Sequence, residues 1–86
     1  MKYHVVWHEN ALEDLRELDP KTAKKIISRV RDYLTENPHH LGKALTGIFK
    51  GLYRYRFGDF RVIYAISREE IIITIVRVSL RRDAYR

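Results

Sequence analysis

The chain has no cysteine among its 86 residues. That absence excludes a disulfide framework and any thiolate metal site, and it makes a reducing cytoplasm the expected setting. Proline occurs only at Pro20 and Pro38, and each ends or restarts a segment instead of interrupting one. Tryptophan appears once, at Trp7. No apolar run is long enough to span a bilayer, and no leading segment has signal-peptide form. The longest apolar stretch, "IIITIV" at 71–76, has the length and β-branched content of a buried strand. Acidic residues are scarce in one half. Residues 44–86 hold nine Lys/Arg against four Asp/Glu, whereas residues 1–43 hold eight against seven. Most of the formal net charge of +6 therefore belongs to the second half. A one-sided basic surface suits a polyanion, with nucleic acid the first candidate. The plainer alternative is a solubilising surface.

Hydrophobic residues make up 45% of the chain, enough for a packed core, and the length suits one domain over residues 1–86. "KYHVVWH" (2–8) alternates as a first strand, with Tyr3, Val5 and Trp7 on one face. Asn10 followed by Glu13 resembles a capping box opening a short helix marked by Leu12, Leu15 and Leu18. Asp19-Pro20 supplies an N-cap and a first-turn proline for a second helix. Ala23, Ile26, Ile27, Val30, Tyr33 and Leu34 form its apolar stripe, and Asn37-Pro38 stops it. A looser glycine-containing connection follows over 39–51. Strands are expected at 52–57, 60–66 and 71–78. The order β-α-α-β-β-β implies an α+β fold, a helical hairpin on one face of a small, mainly antiparallel four-stranded sheet.

The stretch "YRYRFGDFRVIY" (53–64) carries the chemistry. Gly58-Asp59 reads as a two-residue hairpin loop, with glycine where a type II′ turn favours it. In that register Phe57 faces Phe60, Arg56 faces Arg61, and Tyr55 faces Val62. Tyr53, Tyr55, Phe57, Phe60, Val62 and Tyr64 then share a helix-facing side. Arg54, Arg56 and Arg61 share the other, as an exposed, concave cationic surface. Like charges directly opposite one another on a sheet are destabilising, and a bound phosphate would relieve that conflict. Pairing with Asp59, Glu69 or Asp83 would instead make the patch structural.

"LTGIFKGLYRYRFGDFRVIYAI", followed by an apolar strand and "VSLRRDAYR", resembles a RelE-type toxin of bacterial and archaeal toxin–antitoxin systems. The resemblance covers nearly the whole chain. It implies the RelE-like microbial RNase fold and a ribosome-dependent endoribonuclease that cuts mRNA in the A site and so inhibits translation. It also implies a cognate antitoxin that neutralises the toxin in the cytoplasm. Carried over by position, it makes Arg54, Arg56, Arg61, Arg81 and Tyr85 the catalytic set; Arg82 and Arg86 read as general phosphate contacts to RNA and not as catalytic groups. It implies no metal and no small-molecule cofactor. The strand pair is often lysine in the family, and many relatives have histidine where this chain has Leu80, so the general base stays unassigned. Members of ParE type share the fold and act on DNA gyrase. That activity, and a non-catalytic basic RNA-binding module, are the alternatives.

The remaining polar residues have quieter readings. His4 and His8 are four apart but sit on and just after a strand, which does not suit a shared metal. His39 and His40 are expected to be solvated in a loop. Tyr53, Tyr55 and Tyr64 are expected to pack in the core. Arg77 is expected on the helix-facing side, paired with Asp14 or Glu17.

Overall fold

The computed structural model describes residues 2–80. The calls on Arg81, Arg82, Tyr85 and Arg86 lie outside the described residues. Among the described residues, five strands form one sheet in the order β1-β5-β4-β3-β2. In chain order these are β1 (His4–Trp7), β2 (Lys43–Ala44), β3 (Tyr53–Phe57), β4 (Phe60–Ser67) and β5 (Ile72–Leu80). Only β1 and β5 pair in parallel; the other pairs are antiparallel. The expected sheet had four strands. The fifth, β2, contributes two residues, too few for a period of two to show in sequence. It forms because Lys43 pairs with Arg54 and Ala44 with Tyr53.

Helices α1 (Glu9–Arg16) and α2 (Pro20–Arg29) supply the second layer. The start of α1 corrects the capping-box expectation. Its N-cap is His8, whose Nδ1 accepts the Asn10 amide at 3.1 Å, so Asn10 lies inside the first turn. Asp19 caps α2 as expected, accepting from the Thr22 amide, with Pro20 in the first turn. The apolar stripe of α2 continues past Arg29 in a different geometry, a π-helical stretch over Val30–Leu34. The Thr35 amide reaches back five residues to the Val30 carbonyl at 3.1 Å. Val30 and Leu34 remain fully buried there, while Tyr33 turns outward. A single turn, α3 (Pro38–Leu41), and a 3-10 turn (Gly47–Phe49) flank β2.

The core lies between the layers. Ala11, Leu15, Ile26, Val30 and Leu34 meet Tyr55, Val62, Tyr64, Ile73, Ile75 and Val78. Each fully buried Val, Ile or Leu side chain stabilises the fold by about 1.5–3 kcal/mol relative to exposure. The buried set in β5 changes parity, from Ile73 and Ile75 to Val78, because of a bulge. Tyr64 pairs with Ile75 and Ile63 with Arg77, which leaves Val76 without an opposite number.

Beyond Trp7 no strand among the described residues flanks the β5 edge, and α1 takes that place. Asp14 closes the edge: it accepts the Val78 amide at 2.8 Å and the Arg77 guanidinium at 2.9 and 3.2 Å. Asp14 is thus the helix acid that Arg77 meets. The bulge, however, places Arg77 opposite Ile63 and exposed, not under the helices as its sequence parity suggested. The Arg77 side chain is 58% exposed and that of Asp14 only 13%. Two substitutions should therefore differ. Asp14→Ala leaves a half-buried amide unsatisfied and should cost about 1–3 kcal/mol. Arg77→Ala removes an exposed ion pair and should cost under about 1 kcal/mol. Urea denaturation of both variants checks the ordering, and an equal loss would show that the Val78 amide contributes little.

Candidate nucleic-acid interface

The hairpin positions the cations. Gly58 takes φ +52°, the left-handed conformation that glycine adopts without steric cost, and so lets β4 turn directly back on β3. The pairing matches the sequence register: Tyr53 with Tyr64, Tyr55 with Val62, Arg56 with Arg61, and Phe57 with Phe60. Tyr55, Val62 and Tyr64 are buried under the helices. By alternation, Arg54, Arg56 and Arg61 point to the opposite face. The sheet therefore brings the three arginines together.

Their environments differ from the uniformly exposed patch expected. Arg56 is exposed, Arg54 is half-buried, and Arg61 is only 6% exposed. Arg61 thus places a positive charge where water is scarce. Charges in such surroundings act over longer distances than on an open surface. Directly across the ladder, Arg56 presents a second charge to solvent, and among the described residues it has no carboxylate partner. Asp59, one turn away, does not pair with it. A buried cation beside an exposed one suits a ligand with several anionic oxygens, and a phosphate fits that description.

Sequence reading missed one member of this face. Lys43 stands opposite Arg54 and is exposed. The two-residue strand that carries it left no sequence signal, although its charge was visible.

The helix-facing side has different chemistry. The Arg29 Nε donates to the Tyr55 hydroxyl at 3.0 Å, and its guanidinium lies 4.5 Å from the Tyr33 ring centre and 5.5 Å from that of Phe57. Lys25, Arg29, Tyr33, Phe57 and Phe60 line an open groove of about 470 Å³ there. Tyr64 donates to the Pro38 carbonyl at 2.6 Å, and its ring stacks on Tyr53. Burial pushes the Tyr64 hydroxyl well above the usual phenol range, so it serves as a donor and not as a base. His39 is not a solvated loop residue. It is half-buried in α3, edge-on to Tyr3 and Tyr53, and accepts from the Arg68 Nε at 3.2 Å. Burial, then the charges of Arg68 and His40, hold its imidazole below the usual histidine range. Among the described residues no three His, Asp or Glu side chains converge to hold a metal, and no helix is long and apolar enough to cross a membrane.

Fold and site together define a small α+β domain with a cationic sheet face opposite its helices. The family model described as the ParE toxin of type II toxin–antitoxin systems, parDE, matches residues 5–85. Toxin RelE of Mycobacterium tuberculosis is 38% identical over 84 residues, 98% of this chain and 87% of that protein. Putative toxin RelE1 of Methanocaldococcus jannaschii is 36% identical over 89 residues, covering all of this chain and 98% of that protein. Among solved structures, the toxin–antitoxin complex RelBE2 from M. tuberculosis contains a chain that superposes with a TM-score of 0.90 at 28% identity. That match covers 94% of this chain and all of the other. The chain belongs to the RelE/ParE superfamily and is a RelE-type toxin of a type II toxin–antitoxin system.

Proposed function

We propose that this toxin is a ribosome-dependent mRNA endoribonuclease that acts in the cytoplasm. The observation that carries the reading is the Arg56–Arg61 pair, one guanidinium exposed and one buried, on the sheet face that the helices leave uncovered. The reaction is an internal transesterification. The ribose 2′-oxygen bonds to the adjacent phosphorus and the bond to the 5′-oxygen breaks. The proton leaves the 2′-hydroxyl and one is delivered to the departing 5′-oxygen. The products carry a 2′,3′-cyclic phosphate and a 5′-hydroxyl. Arg54, Arg56 and Arg61 stabilise the negative charge that grows on the phosphoryl oxygens. Arg81 completes the cationic set, and Arg82 and Arg86 hold flanking RNA. Arginine is a poor proton acceptor, which leaves Tyr85 to stack on a base or assist proton transfer. No step calls for a metal.

A toxin must be held inactive in its own cell, so a cognate antitoxin is the second partner. Similar toxins from M. tuberculosis and Pyrococcus horikoshii are solved as complexes with RelB. The groove between the π-helical segment and the hairpin, with Tyr33, Phe57 and Phe60, suits an amphipathic antitoxin helix.

The ribosome supplies what this face lacks. Charge stabilisation alone does not align a 2′-hydroxyl with the phosphorus it attacks, so substrate alignment comes from the mRNA held in the A site. Purified toxin added to translating ribosomes should cut mRNA at A-site codons and leave a 5′-hydroxyl, with naked RNA left largely intact. The match to the ParE family description supports the rival reading, a gyrase inhibitor. Intact ribosomal mRNA together with gyrase stalled on DNA would establish that reading. RNA binding with neither effect would leave a non-catalytic module.

A further inference from the structure

We propose that Lys43 is a second phosphate-binding position, which holds the RNA strand one or more nucleotides away from the phosphate at Arg56 and Arg61. The proposal rests on RNA being the ligand of this sheet face. Lys43 lies on the edge strand β2 opposite Arg54, so the two side chains project from the same face. Arg54 and Arg56 are two residues apart on β3, and Arg61 is opposite Arg56 on β4. Neighbouring strands are about 4.8 Å apart, and two residues along a strand advance about 6.8 Å. Lys43 is thus separated from Arg61 by two strand spacings and one such step, roughly 12 Å between backbone positions.

Side chains that stand perpendicular to the sheet keep that separation at their charged ends, and it is wider than one phosphate group. The cations instead form a diagonal track across three strands, from Lys43 at the open edge through Arg54 to the Arg56–Arg61 pair. A polyanion with regularly spaced charges fits such a track, and an isolated phosphate does not. The two ends differ in character. Arg61 is buried and fixed, as suits charge stabilisation at one atom. Lys43 is an exposed ammonium on a flexible stem at the sheet edge, as suits holding a backbone without reading sequence. It is therefore a binding residue and not a catalytic one.

The test uses a single-stranded RNA oligonucleotide with 2′-O-methyl riboses, which binds but offers no 2′-hydroxyl for cleavage. Its affinity is measured over a salt series for the full chain, for Lys43→Ala and Lys43→Arg, and for Lys24→Ala on α2 as a control. Each phosphate contact to a single strand contributes about 0.7 to the slope of log affinity against log salt. Lys43→Ala should lower the slope by that amount, so that its deficit narrows about fivefold for each tenfold rise in salt. Lys43→Arg should restore the slope, and Lys24→Ala should leave it unchanged. On programmed ribosomes, Lys43→Ala should raise KM and leave kcat unchanged. An unaltered slope, a loss of slope matched by Lys24→Ala, or a fall in kcat at unchanged KM would overturn the assignment. So would failure of the unaltered toxin to bind the oligonucleotide at low salt. If the slope changes as expected while ribosomal mRNA stays intact, Lys43 stands and the endoribonuclease reading falls.

Discussion

Arg56→Ala should slow mRNA cleavage on ribosomes by about 10²–10³, the loss typical of removing one preorganised group that stabilises transition-state charge. The same substitution should not destabilise the fold. Arg56 is exposed and stands directly opposite Arg61, and like charges in that relation destabilise a sheet. Its removal should leave the melting temperature unchanged or slightly raised. Activity and stability moving in opposite directions is the signature of a residue kept for chemistry at a cost to folding. Arg61→Ala is a poorer test, although the proposed mechanism places Arg61 on the same phosphate. Its side chain is buried, so truncation leaves a cavity and disturbs the packing around it. Single-turnover cleavage and thermal denaturation of Arg56→Ala therefore decide the matter. Cleavage at the unaltered rate would remove the arginine pair from the mechanism.

The hairpin at the centre of this site was legible because every local signal agreed. Alternating aromatic and basic residues set the faces, Gly58-Asp59 set the loop, and the two together fixed the register of Arg56 on Arg61. The helix boundary at Asp19-Pro20 was legible for the same reason. Three features were not. The two residues of β2 are shorter than the period that would reveal them, so the fifth strand and Lys43 with it stayed hidden. The bulge at Val76 has no glycine or proline to announce it, and it moved Arg77 from the expected inner side to an exposed position. The burial of Arg61 depends on what packs around it in three dimensions, and alternation reports only which face a side chain leaves from. His39 shows a further limit. Pro38 ends the preceding segment as expected, but it also starts α3, which puts His39 against Tyr3 and Tyr53 instead of in water.

Gly42→Ala should be among the most damaging single changes in the chain, for reasons of space alone. Gly42 has φ −94°, a conformation open to any residue, so backbone strain is not the issue. A β-carbon there would lie 1.8 Å from the Tyr64 hydroxyl oxygen and 2.7 Å from the ring carbon that carries it. Tyr64 has little freedom to withdraw. It is fully buried, its hydroxyl donates to the Pro38 carbonyl, and its ring stacks on Tyr53 at 5.7 Å. Overpacking of this kind costs about 1–3 kcal/mol. Losing the hydrogen bond adds about 0.5–1.5 kcal/mol. In a domain of this size, each kcal/mol lowers the melting temperature by roughly 4–8 °C. Gly42→Ala should therefore melt on the order of 10 °C below the unaltered protein. A double-mutant cycle with Tyr64→Phe identifies the cause. Without the hydroxyl the closest obstacle recedes from 1.8 to 2.7 Å, so the alanine should cost less in that background, though still something. Equal costs in both backgrounds would mean that the contact with Tyr64 is not the source of the loss. The effect should also reach the arginine-bearing face of the sheet. β2 begins at the next residue, Lys43, and a shift at position 42 displaces that strand against β3. RNA affinity in Gly42→Ala should then fall with the reduced salt slope expected of Lys43→Ala, measured at a temperature where the variant remains folded.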